Sequence, residues 1–179
     1  MLAAIWQGPA IRLIPVGMLL LALQRSLFVE ITVAGVTIQV VLALAAAAGA
    51  AGGSERGAMA GFVLGVMHDM LEGLPIGSTA IPMTIAGTVA GFLAVIVAEP
   101  HWWLAMLFTM MGAAVGEVMV PVTRLFIGAS DPFEPRLTLI VPVVAIAAGV
   151  LSPLFVPLAR WCLRIRSAEW VAPPREPTL

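Results

Sequence analysis

Three charged side chains, Arg25, Asp69 and Glu117, fall inside long apolar stretches of this 179-residue sequence. Ionisable groups in apolar segments are costly to bury and are therefore the first candidates for function. Each lies about 12 to 15 residues from the same end of its predicted helix, or roughly 18–23 Å at 1.5 Å per residue. We therefore predict a polar layer at one depth, and Gln39 belongs to it by the same count. Gln24 and His68 lie at comparable depth.

Opposite charges at one depth suggest an ion pair. An arginine beside a carboxylate lowers the cost of burying both groups. The structural hypothesis is that Arg25 pairs with Asp69 or Glu117 between the first, third and fifth helices. The alternative is that these side chains extend to the headgroups of a bilayer.

Glycines recur at every fourth position around Asp69 and in two later segments. Small residues four apart share one side of a helix and allow another helix to approach closely. Packing within the chain is the first interpretation, and docking of a partner's helix is the alternative. The positions are Gly57, Gly61, Gly65, Gly87, Gly91, Gly112 and Gly116.

A helix break is predicted at Gly73, Pro75 and Gly77, because glycine and proline interrupt helices. Broken helices in transporters expose backbone groups to a cavity, so the break keeps a solute-binding role open. No inverted or parallel repeat is visible in the sequence, which counts modestly against an autonomous transporter.

The composition is that of a membrane protein, with 61% hydrophobic residues, 11% charged residues and a mean hydropathy of +1.06. Soluble domains carry about a quarter charged residues. The lone Cys162 excludes an internal disulfide and a thiolate metal cluster. There is no basic block suited to nucleic acid. The N-terminus lacks signal-peptide features, so we expect the first apolar segment to be retained.

About six apolar segments are candidates for membrane-spanning helices, which need about 20 residues each. The second and third are short, and tilting, local thinning of the bilayer or a re-entrant pair are alternatives to full spans. We predict an all-α integral membrane bundle over residues 10–166, a cytoplasmic N-terminus at 1–9 and a disordered cytoplasmic tail at 167–179. The segments are residues 11–29, 36–51, 57–71, 78–98, 102–126 and 137–165.

Arginine placement predicts that both termini are cytoplasmic, by the positive-inside rule. With six spans the opposite side carries Arg124 and Arg136, and Arg25 approaches it from within a helix. All five tryptophans also fall on the assigned cytoplasmic side. That side holds Arg12, Arg56, Arg160, Arg164, Arg166 and Arg175, with Trp6, Trp102, Trp103, Trp161 and Trp170.

Enzymatic motifs are missing from the sequence. It has no Gly-x-Ser-x-Gly elbow, no HExxH and no Walker loop. His68 and His101 are predicted on opposite membrane faces, and His68 points about 100° away from its neighbour Asp69. The sequence thus predicts a non-enzymatic protein without cofactor or metal.

The central stretch resembles the signature of the rod shape-determining protein MreD family, most clearly over residues 36–93. The chain departs from the family where the second span begins: Ile38-Gln39 stands where members often carry Pro-Asp, so the role of that acid is in doubt for Gln39. The residues that carry the resemblance are Gly61, Phe62, Gly65, Asp69, Gly73, Pro75, Gly77, Gly87 and Gly91.

The resemblance implies a multi-pass scaffold of the bacterial plasma membrane that acts in cell-wall elongation. Its expected partners are an MreC-like single-pass protein and, through it, RodA, a penicillin-binding transpeptidase and MreB. The implied fold is similar to the S-components of energy-coupling-factor vitamin transporters, so a solute-binding subunit is the alternative function. A groove at Gly61 or Gly91 is the hypothetical site for the partner's helix, and the turn at 131–136 is a candidate contact for an external domain.

Overall fold

The computed structural model describes residues 10–26, 32–33, 35–97, 102–128 and 136–165. Within these ranges the chain forms six α-helices and one short antiparallel hairpin, which confirms the prediction of a helical protein and adds the hairpin. Residues 1–9 and 167–179, His101 and most of the 131–136 turn lie outside the described residues. The elements are α1 (Ala10–Ser26), β1 (Thr32–Val33), β2 (Val36–Thr37), α2 (Val40–Gly52), α3 (Ser54–Glu72), α4 (Ala80–Ile96), α5 (Trp102–Phe126) and α6 (Leu137–Cys162).

Two of the described helices, α5 and α6, are long and apolar enough to cross a membrane. Helices α2 and α4 are apolar but shorter, with 13 and 17 residues. The six predicted segments coincide with the six helices in order and approximate bounds. The count of six membrane spans stays a prediction.

Helix α2 forms the centre of the bundle. Every residue from Val40 to Ala51 is buried, and α3, α4, α5 and α6 all pack against it. Its Ala-rich sequence makes a thin helix that four neighbours can approach closely. Only Gly53 separates α2 from α3. This residue has φ 84° and ψ 176°, a conformation that glycine adopts readily, and the chain reverses there so that Gly57 packs on Gly49.

Helices α3 and α4 pack through the glycines that the sequence singles out. A Cβ on Gly57 would collide with Gly87 O, one on Gly61 with Met83 O, and one on Gly65 with Ala80 Cα. Gly91 meets the backbone of Gly53 and Ser54 in the same way. Helix α5 continues the packing, because a Cβ on Gly112 would lie 2.6 Å from Ala86 O and one on Gly116 2.8 Å from Ala86 Cβ. These contacts bring backbones together inside the chain.

The first and last described helices meet at one end of the bundle. Arg12, in the first turns of α1, lies 5.0 Å from the ring centroid of Trp161 and donates to its carbonyl oxygen at 3.4 Å. Helices α5 and α6 are antiparallel, since Thr109 contacts Ser152 and Met110 contacts Gly149. The start of α5, with Trp102 and Trp103, therefore lies at the same end as Trp161.

Large apolar side chains lie on the outside of the bundle as well as in its core. Large apolar side chains on α4 and α6 point outward, with Phe92, Val95, Val150 and Leu154 each more than 60% exposed. The buried polar side chains lie between the helices and are Asp69, Ser78, Thr109, Glu117, Thr123 and Ser152.

A polar cavity at one end of the bundle

A cavity of about 600 Å³ lies at the end of the bundle away from Trp161. Its wall is formed by parts of all six described helices and of the hairpin. These are the end of α1, the hairpin, the start of α2, the end of α3, the start of α4, the end of α5 and the start of α6. The elements meet there because the chain runs up and down the bundle with short connections. Its polar lining comprises Gln24, Thr37, Gln39, His68, Glu72, Thr79, Glu117, Arg124 and Arg136.

Glu117 is the most deeply buried charged group of this lining, with 5% of its surface exposed. The Gln39 side chain hydrogen-bonds its carboxyl group, and Arg124, two turns further along α5, contributes a positive charge. Among the described residues, Glu117 Oε2 has no hydrogen-bond partner. Buried polar atoms in proteins are usually paired, so this oxygen is the exceptional atom of the cavity.

Apolar side chains complete the cavity. Leu42 of the central helix, Pro82 and Met83 of α4, and Val120 and Pro121 of α5 line it between the polar groups. The cavity volume lies within the range of about 300–1,000 Å³ of small-molecule sites. About half of the lining residues are polar, so the cavity is suited to a polar small molecule rather than an apolar one.

Asp69 lies beside the cavity and is fully buried. Its Oδ1 accepts from Ser78 Oγ at 2.8 Å and from Thr79 N and Oγ1 at 2.9 and 2.6 Å. Its Oδ2 accepts from Gly77 N at 2.8 Å and Ala80 N at 3.3 Å. A carboxylate at the positive end of a helix satisfies amide groups that have no partner in the helix itself. Asp69 thus holds the start of α4 from α3.

The backbone of Asp69 also ends its own helix. Its carbonyl oxygen accepts from Gly73 N and, at 2.9 Å, from Leu74 N, while Gly73 adopts the left-handed conformation with φ 67°. This is the Schellman ending that glycine favours. The predicted helix break at Gly73, Pro75 and Gly77 begins at this ending. Pro75 O accepts a hydrogen bond from Ser78 N at 3.1 Å, which forms a turn, and Gly77 has φ 109°.

Arg25 does not pair with Asp69 or Glu117, which corrects the first hypothesis. Its Nε lies 3.8 Å from Glu72 Oε1 and its Nη1 donates to Leu71 O at 3.2 Å. Both contacts lie at the C-terminal end of α3, where a cation is favoured. Asp69 is already surrounded by donors from the following turn, so it needs no arginine. The predicted polar layer therefore separates into a surface pair, a buried helix junction and the cavity.

The glycine grooves are also filled by the chain itself. The Gly61 and Gly91 sides of α3 and α4 face each other's backbones. The alternative in which either groove receives a partner's helix is wrong, because no space remains there for a second helix.

From the sequence, Gln24 and His68 share only a comparable depth with the polar layer, and no cavity is predicted. His68 lines the cavity, and its Nδ1 lies 3.5 Å from Thr79 Oγ1. Gln24 accepts a hydrogen bond from the backbone of Val41 at 3.2 Å and so caps α2 from α1. One signal was available: His68 and Glu72 are four residues apart and therefore share a helix face.

Comparison of the chain with protein-family models, curated proteins and solved structures found no match. Within the described ranges, no group of three or more His, Cys, Asp or Glu side chains is arranged to hold a metal ion.

Proposed function

We propose that this chain is a multi-pass scaffold of the cell-wall elongation machinery in the bacterial plasma membrane, similar to the MreD family. It has six spans, with both termini in the cytoplasm. The apolar exterior supports a lipid environment, because a large exposed apolar surface is unfavourable in water. The end of the bundle that carries Trp102, Trp103 and Trp161 lies at the cytoplasmic interface, where tryptophan is favoured.

One observation carries the proposal. The glycines and Asp69 of the MreD-like signature build the junction between α3 and α4, whereas Phe62 of the same signature is 55% exposed. A bulky aromatic side chain that points outward from a packed junction is available to a partner within the bilayer. Aromatic residues are frequent anchors of protein interfaces.

The partner is an MreC-like single-pass protein, and through it the chain meets RodA, a penicillin-binding transpeptidase and MreB. Its transmembrane helix packs on the exposed side of α3 around Phe62. This location replaces the glycine grooves, which the chain's own helices occupy.

Depletion of the protein in its host, followed by microscopy, tests the function. We expect rods to become round, and rods of unchanged shape would contradict a scaffold of elongation. Co-purification tests the interface: Phe62→Ala should lower recovery of the MreC-like partner at least about fivefold, as expected for an anchor residue. Leu154→Ala on α6 is the control, since Leu154 is also apolar and is exposed to a similar extent.

The cavity favours a second candidate function, a solute-binding subunit of an ATP-driven uptake transporter. Its volume and mixed lining are those of a small-molecule site. Depletion that leaves cell shape normal but abolishes uptake of a vitamin-like solute would select this candidate over the scaffold.

A further inference from the structure

We propose that the cavity binds a zwitterion, with a primary ammonium group at Glu117 and an anionic group at the entrance near Arg136. This site is independent of the partner interface and applies to either candidate function. The shared ligand chemistry is an ammonium joined to a phosphate or carboxylate, carried by a free solute or by a lipid headgroup.

The unpartnered oxygen selects the inner group of the ligand. Glu117 lines the cavity, and its buried Oε2 accepts no hydrogen bond from any described residue. A carboxylate oxygen accepts hydrogen bonds and attracts positive charge, so an ammonium N–H satisfies both requirements. A quaternary ammonium has no N–H and does not satisfy the oxygen.

The charges of the lining favour a ligand that carries both signs. Two acids, Glu72 and Glu117, and two arginines, Arg124 and Arg136, face the cavity, and Glu72 is already paired with Arg25 at the surface. Glu117 is therefore the acid that suits a positive group, and the exposed arginines suit a negative group.

The order of charges along the cavity fixes the ligand's orientation. Glu117 is buried, whereas Arg124 and Arg136 are exposed at the end of α5 and the start of α6. Glu117 and Arg124 are seven residues apart, or about 10 Å along the helix. The ammonium therefore points inward and the anionic group points outward, with the apolar walls at Leu42 and Pro82 around the linking carbons.

Two probes test the site in the purified full-length chain. The first is free glycerophosphoethanolamine, a phosphodiester zwitterion without net charge, measured by the shift in melting temperature in detergent. The second is phosphatidylethanolamine in nanodiscs, measured by native mass spectrometry of the retained lipid. Phosphatidylcholine is the matched lipid control, since it keeps the phosphate but lacks N–H donors. Binding of the free probe assigns a solute, and retention of phosphatidylethanolamine alone assigns a headgroup.

Variants connect the binding to the proposed atoms. Glu117→Gln keeps the side-chain shape and should weaken binding about tenfold to a hundredfold, the range for a hydrogen bond to a charged group. Arg136→Gln, on an exposed side chain, should weaken binding less and serves if Glu117→Gln does not fold. Ser152→Ala, buried between α5 and α6, should leave binding unchanged.

Three results would overturn the site. These are the absence of binding by both probes, equal retention of phosphatidylcholine and phosphatidylethanolamine when the free probe does not bind, and unchanged binding by folded Glu117→Gln and Arg136→Gln proteins. None of them bears on the rounding of depleted cells, so the scaffold proposal is tested separately.

Discussion

Thr79 Oγ1 donates a hydrogen bond to Asp69 Oδ1 at 2.6 Å, and this contact joins the end of α3 to the start of α4. Asp69 acts twice at the junction, because its backbone carbonyl closes one helix and its side chain opens the next. Asp69, one of the first candidates for function in the sequence, is therefore a structural residue that connects α3 to α4.

Asp69→Asn should destabilise the protein strongly. Both carboxylate oxygens of Asp69 accept hydrogen bonds. The NH₂ group of asparagine cannot accept one, so the N–H or O–H groups on that side would lose their partner. The expected loss in free energy of unfolding is about 1–3 kcal/mol or more. We expect a clearly lower melting temperature in detergent. Glu72→Gln is the control, since that side chain is partly exposed and its loss should change stability by less than about 0.5 kcal/mol. Equal stability of the two variants would contradict the junction.

Gly61→Ala should prevent normal packing of α3 on α4. The added Cβ collides with Met83 O, and a backbone carbonyl cannot move away as a flexible side chain can. We expect loss of the monodisperse peak in size-exclusion chromatography. Gly73→Asn should keep that peak, because asparagine tolerates the left-handed conformation and no atom lies within 4 Å of the new Cβ.

Arg12→Ala should loosen α1 from the end of α6. The guanidinium lies over the Trp161 ring, and such an interaction contributes about 0.5–1 kcal/mol at an exposed site. A double-mutant cycle with Trp161→Leu, followed by thermal unfolding, measures the coupling. Additive effects of the two substitutions would show that the contact contributes nothing.

Charge reversal should distinguish the partner of Arg25. Arg25→Glu places a second acid beside Glu72 and should lower stability. Adding Glu72→Arg to the same protein should restore the stability that is lost. The coupling should be small, about 0.2–1 kcal/mol, because both side chains are exposed to a large extent. Rescue by Glu117→Arg instead would restore the original pairing hypothesis.

The order and type of the helices follow from the sequence, because long apolar runs and glycine–proline breaks are local signals. The predicted fifth segment, 102–126, has the same bounds as α5. Asp69 is buried, as expected. Its partners could not be predicted, because most of them are backbone amides, which every residue type carries.

The cavity was not predictable by the same means. Gln39 precedes α2, His68 lies in α3 and Glu117 lies in α5, and only the packing of those helices brings the three residues to one wall. The central position of α2 was not predictable either, because a run of alanine and valine is compatible with contact to lipid as well as contact to protein.

The full burial of α2 has a consequence for the timing of biogenesis. Helix α2 emerges from the ribosome early, but α4, α5 and α6, which cover it, come later in the chain. Roughly 110 residues separate the ends of α2 and α6, which is about 5–20 s of synthesis at 5–20 residues per second. At the start of that interval only α1 precedes α2, and α3, α4, α5 and α6 are added one after another. The nascent chain therefore passes through a stage at which its future central helix lacks the neighbours that bury it in the folded protein.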